Sequence, residues 1–284
     1  MTKSQSTING GKQGKWTRIR PLQRDEIDAV THAGMLVGET TWGTFPNNLC
    51  KVMAYLPRLM ETEAEYANTF IFDQATFRNR SEFDEPGRVP DRKYVVPEEI
   101  QVAGFNDRFL KELVISKTSL LNRSLYSITH HGFLGFVLYS VAGRQAEAHE
   151  KYLHLHEHAK FPDVYTEREH AVLDFTVKVT RDPHAVTDAE FDRLRAILRL
   201  HNSGDGELGA LSEAEMDRHV DAQIVELTWL IGHFCLLNRW FTVLQVPDED
   251  GNDELNFLQF YEQVVPEDIR QRNAKVLDGT LAVS

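Results

Sequence analysis

Cysteine is nearly missing from this sequence. There are two, Cys50 and Cys235, and no CxxC anywhere. That excludes a redox centre built from neighbouring thiols, and it gives no basis for a disulfide framework. Both cysteines sit among apolar residues, where a buried thiol behaves as a small, inert hydrophobe. Strand signals are also scarce: there is no sustained alternation and no Asn-Gly hairpin between apolar runs. No run of apolar side chains approaches the roughly 18–20 needed to span a bilayer. The opening residues, MTKSQSTINGGKQGKW, lack the apolar stretch of a secretory signal and read as a loose polar arm over 1–15. Basic charge is in deficit, with 31 Lys and Arg against 43 Asp and Glu, a net of −12. A general nucleic-acid binder needs a concentrated basic surface, so a small-molecule partner, no nucleic acid, no membrane and a cytoplasmic setting are the expectations.

What is present is helical. Residues 109–121, 124–141, 143–158, 166–180, 188–200 and 221–244 carry apolar residues at helical spacing. Thr166 with Glu169 and Ser212 with Glu215 are capping-box pairs, the second opening a short helical segment of its own. Asn122 reads as the cap of the helix that follows it. Pro57 should break the helical pattern of residues 47–66. Residues 78–97, with three prolines and a glycine, read as a surface loop or insertion. The organisation expected is one all-α domain over 16–246, with 247–284 as a tail that packs on the domain or on a partner subunit.

Three patterns suggest cofactors and fail on context. Gly204-Asp-Gly206-Glu-Leu-Gly209 fits G-x-G-x-x-G, but it follows a helix and carries carboxylates where phosphate would lie. Asp248-Glu-Asp250-Gly251-Asn-Asp253 has its glycine misplaced for a calcium loop and reads as a solvated acidic loop. His154, His156 and His158 alternate, yet on a helix His156 points away from the other two. No metal and no cofactor are expected.

One constellation carries chemistry. Glu112 lies twelve residues before Ser124, and then come Tyr126, Ser127, His130 and His131. Ser127 and His131 are i and i+4, so they share a helix face, and both serines fall near a helix start where unpaired N–H groups favour negative charge. A carboxylate on the preceding helix can fold back on the imidazole, orient it and stabilise its charged form.

The spacing Glu-x11-Ser-x2-Ser-x3-His resembles the signature of the AhpD-like/carboxymuconolactone decarboxylase family, with serine at both positions where the peroxidase branch carries cysteine. Further similarity lies in Arg18–Leu22, Phe45-Pro46-Asn47, Leu56-Pro57, Thr166–Glu169 with Val172–Phe175, Asp182-Pro183 with Val186–Asp188, and Ile224–Leu227 with Asn238-Arg239. The resemblance implies an AhpD-like helical bundle with an N-terminal helical extension, assembled as a dimer, trimer or hexamer. It implies no thiol peroxidase, because serine can neither form a sulfenic acid nor resolve one. It points instead to a cofactor-free lyase or decarboxylase acting on a small carboxylate, lactone or aromatic acid. Glu112, His131 and Ser127 are the candidate catalytic residues; Ser124, Tyr126, Phe45, Asn47 and Trp229 are the candidates for substrate binding. A hydrolase using Ser127 and His131, and an oligomeric binding protein without catalysis, are the alternatives.

Overall fold

The computed structural model describes residues 18–22, 26, 48–66, 104–249 and 256–284, and every regular element among them is a helix. The expectations placed on the arm 1–15, on Phe45 and Asn47, and on the loop 78–97 lie outside the described residues. In chain order the helices are α1 (Asn48–Met53), α2 (Pro57–Tyr66), α3 (Arg108–Asn122), α4 (Leu125–Val141), α5 (Gln145–His154), α6 (Glu167–Arg181), α7 (Asp188–Ser203), α8 (Glu213–Leu244), α9 (Phe257–Val264) and α10 (Glu267–Leu277). Pro57 is the first residue of α2, where its missing N–H costs nothing.

Helix α3 is the axis of the fold. Leu110 through Leu120 are buried without a break. Leu110, Val114 and Ile115 face one apolar cluster, built largely on α8, α6 and α1. Leu113 and Leu120 face a second, built on α4, α5 and the C-terminal helices. A helix buried all round must find partners for each of its polar groups. Lys111 Nζ donates to Glu226 Oε1 at 2.6 Å. Lys117 Nζ donates to the carbonyls of Leu155 at 2.8 Å, His156 at 3.2 Å and Ser284 at 2.5 Å. Burial pushes the Lys117 amine down to about 7, against the pull of Asp174 and Glu157. Glu112, also on this helix, finds its partners at the site described below.

Local sequence sets most boundaries. Capping boxes open α6 (Thr166, Glu169), α7 (Thr187, Glu190) and α8 (Ser212, Glu215). The expected short helix after Ser212 does not stop: it runs straight into the long apolar segment as one helix of 32 residues. By length and hydropathy alone α8 could cross a bilayer, contrary to the reading of the apolar runs, and half of that window is buried within the fold. The helix expected over 143–158 ends earlier, passing at His154 into a 3₁₀ turn over Leu155–Lys160 with a kink at Glu157.

Helix α4 begins differently from expectation. Asn122 is the last residue of α3, and its amide donates to Thr118 O at 2.8 Å. Arg123 takes the left-handed conformation at φ 53°, which ends α3 and leaves Ser124 as the capping position of α4. Gly135 on α4 lets α5 approach, since a Cβ there would lie 1.7 Å from the Tyr152 hydroxyl. The C-terminal segment packs on the same body: α9 lies on α4, and α10 on α5.

Candidate active site

Adjacent helices α3 and α4, joined by the Arg123–Ser124 corner, bring Glu112 and His131 together. His131 Nδ1 lies 2.9 Å from Glu112 Oε2, with the carboxylate fully buried and the imidazole 15% exposed. Arg108, one turn earlier on α3, donates to the other carboxylate oxygen, Oε1. Burial alone would raise the Glu112 carboxyl, but Arg108 and His131 together hold it below the ordinary carboxylate range. An ionised Glu112 accepts from Nδ1–H and fixes the tautomer. Nε2 is then the lone-pair nitrogen, and among the described residues it makes no hydrogen bond. The edge of the Phe234 ring, on α8, packs against the imidazole at 4.8 Å.

Ser127 shares the face of His131 one turn toward the start of α4, and Ser124 sits at the cap. Both are 1% exposed, and among the described residues neither hydroxyl has a hydrogen-bond partner. Ser127 Oγ is not bonded to His131, so the serine–imidazole contact that would activate a nucleophile is missing. Asn238 on α8 is fully buried as well, with Oδ1 unpartnered among the described residues and Nδ2 3.5 Å from Ser119 Oγ. Helices α4 and α8 meet through His131 with Phe234 and through Tyr126 with Phe241 (4.6 Å). Asn238 therefore falls opposite the stretch that carries Ser127. Buried polar atoms left without partners are uncommon enough to need a reason.

Two candidates for substrate contact lie elsewhere. Tyr126 turns the other way into a second buried network: its hydroxyl donates to Glu249 Oε1 at 2.8 Å and accepts from Leu49 N at 3.1 Å. Trp229 is 61% exposed on the outer face of α8, in a shallow groove with Phe191, Ile224, Val225 and Leu236. The helical face that points Phe234 and Asn238 inward necessarily points Trp229 outward.

That second network was not expected from sequence. His130 Nε2 meets Glu249 Oε2 at 2.8 Å, and its Nδ1 meets the Tyr126 carbonyl at 2.7 Å. Both ring nitrogens face oxygen acceptors, so both carry protons. Burial alone would push the His130 imidazole down, and Glu249 with Asp248 lifts it above its ordinary value. The ring stacks on Tyr126 at 3.9 Å and lies 4.3 Å from the Phe257 ring. Asp248 and Glu249, expected in a solvated acidic loop, are buried against α4. Glu249 also accepts from Asn48 N at 2.7 Å, tying the start of α1 to α4. Asp248, 2.6 Å from Thr129 Oγ1, is pushed up to about 6 by burial, against the lowering effect of His130.

The alternating histidines diverge. His154 stacks on Phe161, His156 meets Arg272 at 3.0 Å, and His158 Nε2 meets Asp174 Oδ1 at 3.0 Å. Cys50 and Cys235 are both buried, on different helices, and no disulfide joins them.

The arrangement of the helices is that of a known class: the chain has the all-helical AhpD-like fold. No family model matches it, and no curated protein matches it. The solved structures similar to it include a peroxidase-related protein of Silicibacter sp. TM1040, with a TM-score of 0.55 and 13% identity over 89% of this chain and 100% of that one. Another is an alkylhydroperoxidase AhpD core, an uncharacterised peroxidase-related protein of Ralstonia eutropha JMP134, with a TM-score of 0.51 and 16% identity over 88% of this chain and 98% of that one. At such identities the likeness establishes the fold.

Proposed function

We propose that this protein is a cofactor-free enzyme that moves a proton on a small carboxylate, lactone or aromatic acid, a lyase of the decarboxylase type rather than a thiol peroxidase. The observation that carries the reading is the 2.9 Å contact between Glu112 Oε2 and His131 Nδ1 on a partly exposed imidazole whose Nε2 is unbonded. Glu112, kept ionised by Arg108, orients the ring and stabilises the imidazolium formed when Nε2 takes a proton from solvent, and that proton is returned to the enolate carbon of the substrate once carbon dioxide has left. The unpartnered hydroxyls of Ser127 and Ser124 lie toward the positive end of α4, suited to a substrate carboxylate or to the enolate oxygen that appears as carbon dioxide leaves. Peroxide reduction needs a thiolate and a resolving thiol, and the sequence offers serine at both positions. The hydrolase alternative is weaker because Ser127 Oγ is not bonded to His131. A small-molecule substrate in the cytoplasm belongs to the same reading.

Product analysis on a panel of aromatic acids and lactones tests it. Turnover by the wild type should fall ~10²–10⁴-fold in His131→Ala with little change in ligand affinity. Thiol-dependent peroxide turnover by the wild type, or no binding of any panel member, would count against the proposal.

A further inference from the structure

Helix α4 starts at a corner where three buried polar groups have no partner among the described residues: the hydroxyls of Ser124 and Ser127 and the amide oxygen of Asn238. Asn238 comes from α8, on the inward face that sets Phe234 against His131 and Phe241 against Tyr126. The same stretch of α8 meets the corner where Cys235 Sγ lies 3.7 Å from Asn122 Nδ2. The Asn238 side chain reaches toward it as well: its Nδ2 lies 3.5 Å from Ser119 Oγ, and Ser119 O accepts from Ser124 N at 3.1 Å. Ser119 also fixes which way round the amide sits. Its hydroxyl proton goes to Ile115 O at 2.7 Å, so toward Asn238 it can only accept. Asn238 therefore presents Nδ2 to Ser119, and Oδ1 is the acceptor without a donor.

We propose that Asn238 is a specificity-determining residue, and that the acid taken by this site carries a hydroxyl group beside its carboxylate. The inference rests on the acid-binding reading above and narrows it. The argument is an inventory of donors and acceptors. The two serine hydroxyls can donate, whereas an amide oxygen can only accept. A bare carboxylate or a lactone carbonyl offers acceptors alone. It satisfies the serines at the positive end of α4 but sets oxygen against oxygen at Asn238. A hydroxyl on the neighbouring carbon brings the missing proton. A buried acceptor left without a donor costs binding outright, so a site of this kind rejects the analogue that lacks the hydroxyl. The approach is past His131, whose imidazole is 15% exposed. That ring lies one turn from Ser127 on α4, and it packs on Phe234, one turn from Asn238 on α8.

Calorimetric titration of the full chain with mandelate and phenylacetate, which differ by one hydroxyl, tests the assignment. The wild type should bind mandelate at least ~10-fold more tightly. The methyl ether of mandelate keeps the oxygen and lacks the proton, and should bind the wild type no better than phenylacetate does. Asn238→Leu should erase the preference by weakening mandelate alone; a residue that only supports the fold would weaken both acids alike. His131→Ala should keep the preference, because the hydroxyl is read from α8 and not by the imidazole. Equal affinity of the wild type for the two acids overturns the assignment and leaves the acid-binding reading standing. So does a methyl ether that binds like mandelate, a preference that survives Asn238→Leu, or one that vanishes in His131→Ala. Binding of neither acid by the wild type overturns that reading, and this inference with it.

Discussion

At the scale of single residues, Glu112 decides the most. It is a fully buried carboxylate whose two oxygens serve different partners, Arg108 and His131. Removing the charge while keeping the shape, Glu112→Gln, takes away the buried carboxylate that both Arg108 and His131 face and should cost about 3 kcal/mol at neutral pH. The carboxyl is held below its ordinary value in the fold, so its contribution is complete above the ordinary carboxylate range and is lost as pH falls through the depressed value. Denaturant melts of wild type and variant should therefore differ fully at pH 7 and converge in acid; a gap independent of pH would contradict this account. The spacing of Glu112, Ser127 and His131 made this part of the site legible, because i and i+4 periodicity and a short inter-helix corner are local facts. Arg108, one turn before Glu112, is equally local, but nothing in the spacing of the motif marks it as a partner of that carboxylate. Trp229 was misplaced because proximity in sequence to the closing helix says nothing about which face a side chain occupies.

At the scale of elements, the informative piece is the strap that follows α8. Val246 to Glu249 turns back across α4, and the carboxylates of Asp248 and Glu249 meet Thr129 and His130. Thr129 Oγ1 has one proton and lies 2.8 Å from the Tyr126 carbonyl and 2.6 Å from Asp248 Oδ1. The hydroxyl donates to Asp248, which works against the burial that raises this carboxyl to about 6. For a carboxyl raised in the fold, the stabilising protonated form is present below the unfolded value and is lost as pH rises through about 6. Asp248→Asn keeps a donor and cannot ionise. Above pH 6 it should be more stable than wild type, by about 1–3 kcal/mol, and the two melting curves should merge near pH 4. A variant less stable at every pH would show that the ionised carboxylate is the form the fold uses. Helix starts marked by capping boxes were readable in sequence, as at Thr166 and Ser212. The burial of Asp248-Glu249 was not, because an acidic run has the composition of a solvated loop and its partner His130 lies far back in the chain.

At the scale of the molecule, two apolar clusters share α3 as a common wall, and the proton-handling pair sits where that wall meets α4. Helices α9 and α10 close the second cluster, packing on the body that holds His131. The all-helical class was legible because helical periodicity recurs along the whole chain, while the continuity of α8 was not, since its first turns are polar and its later turns apolar. The account as a whole rests on Glu112 and His131 acting as one unit on a bound substrate. The most direct measurement is kcat for wild type, His131→Ala, Glu112→Gln and the double variant on one turned-over acid or lactone. Acting as a unit, the pair predicts a double variant no slower than the worse single variant, since groups that function together do not lose rate additively. Losses that multiply, or a His131→Ala protein that turns over at the wild-type rate, would contradict it.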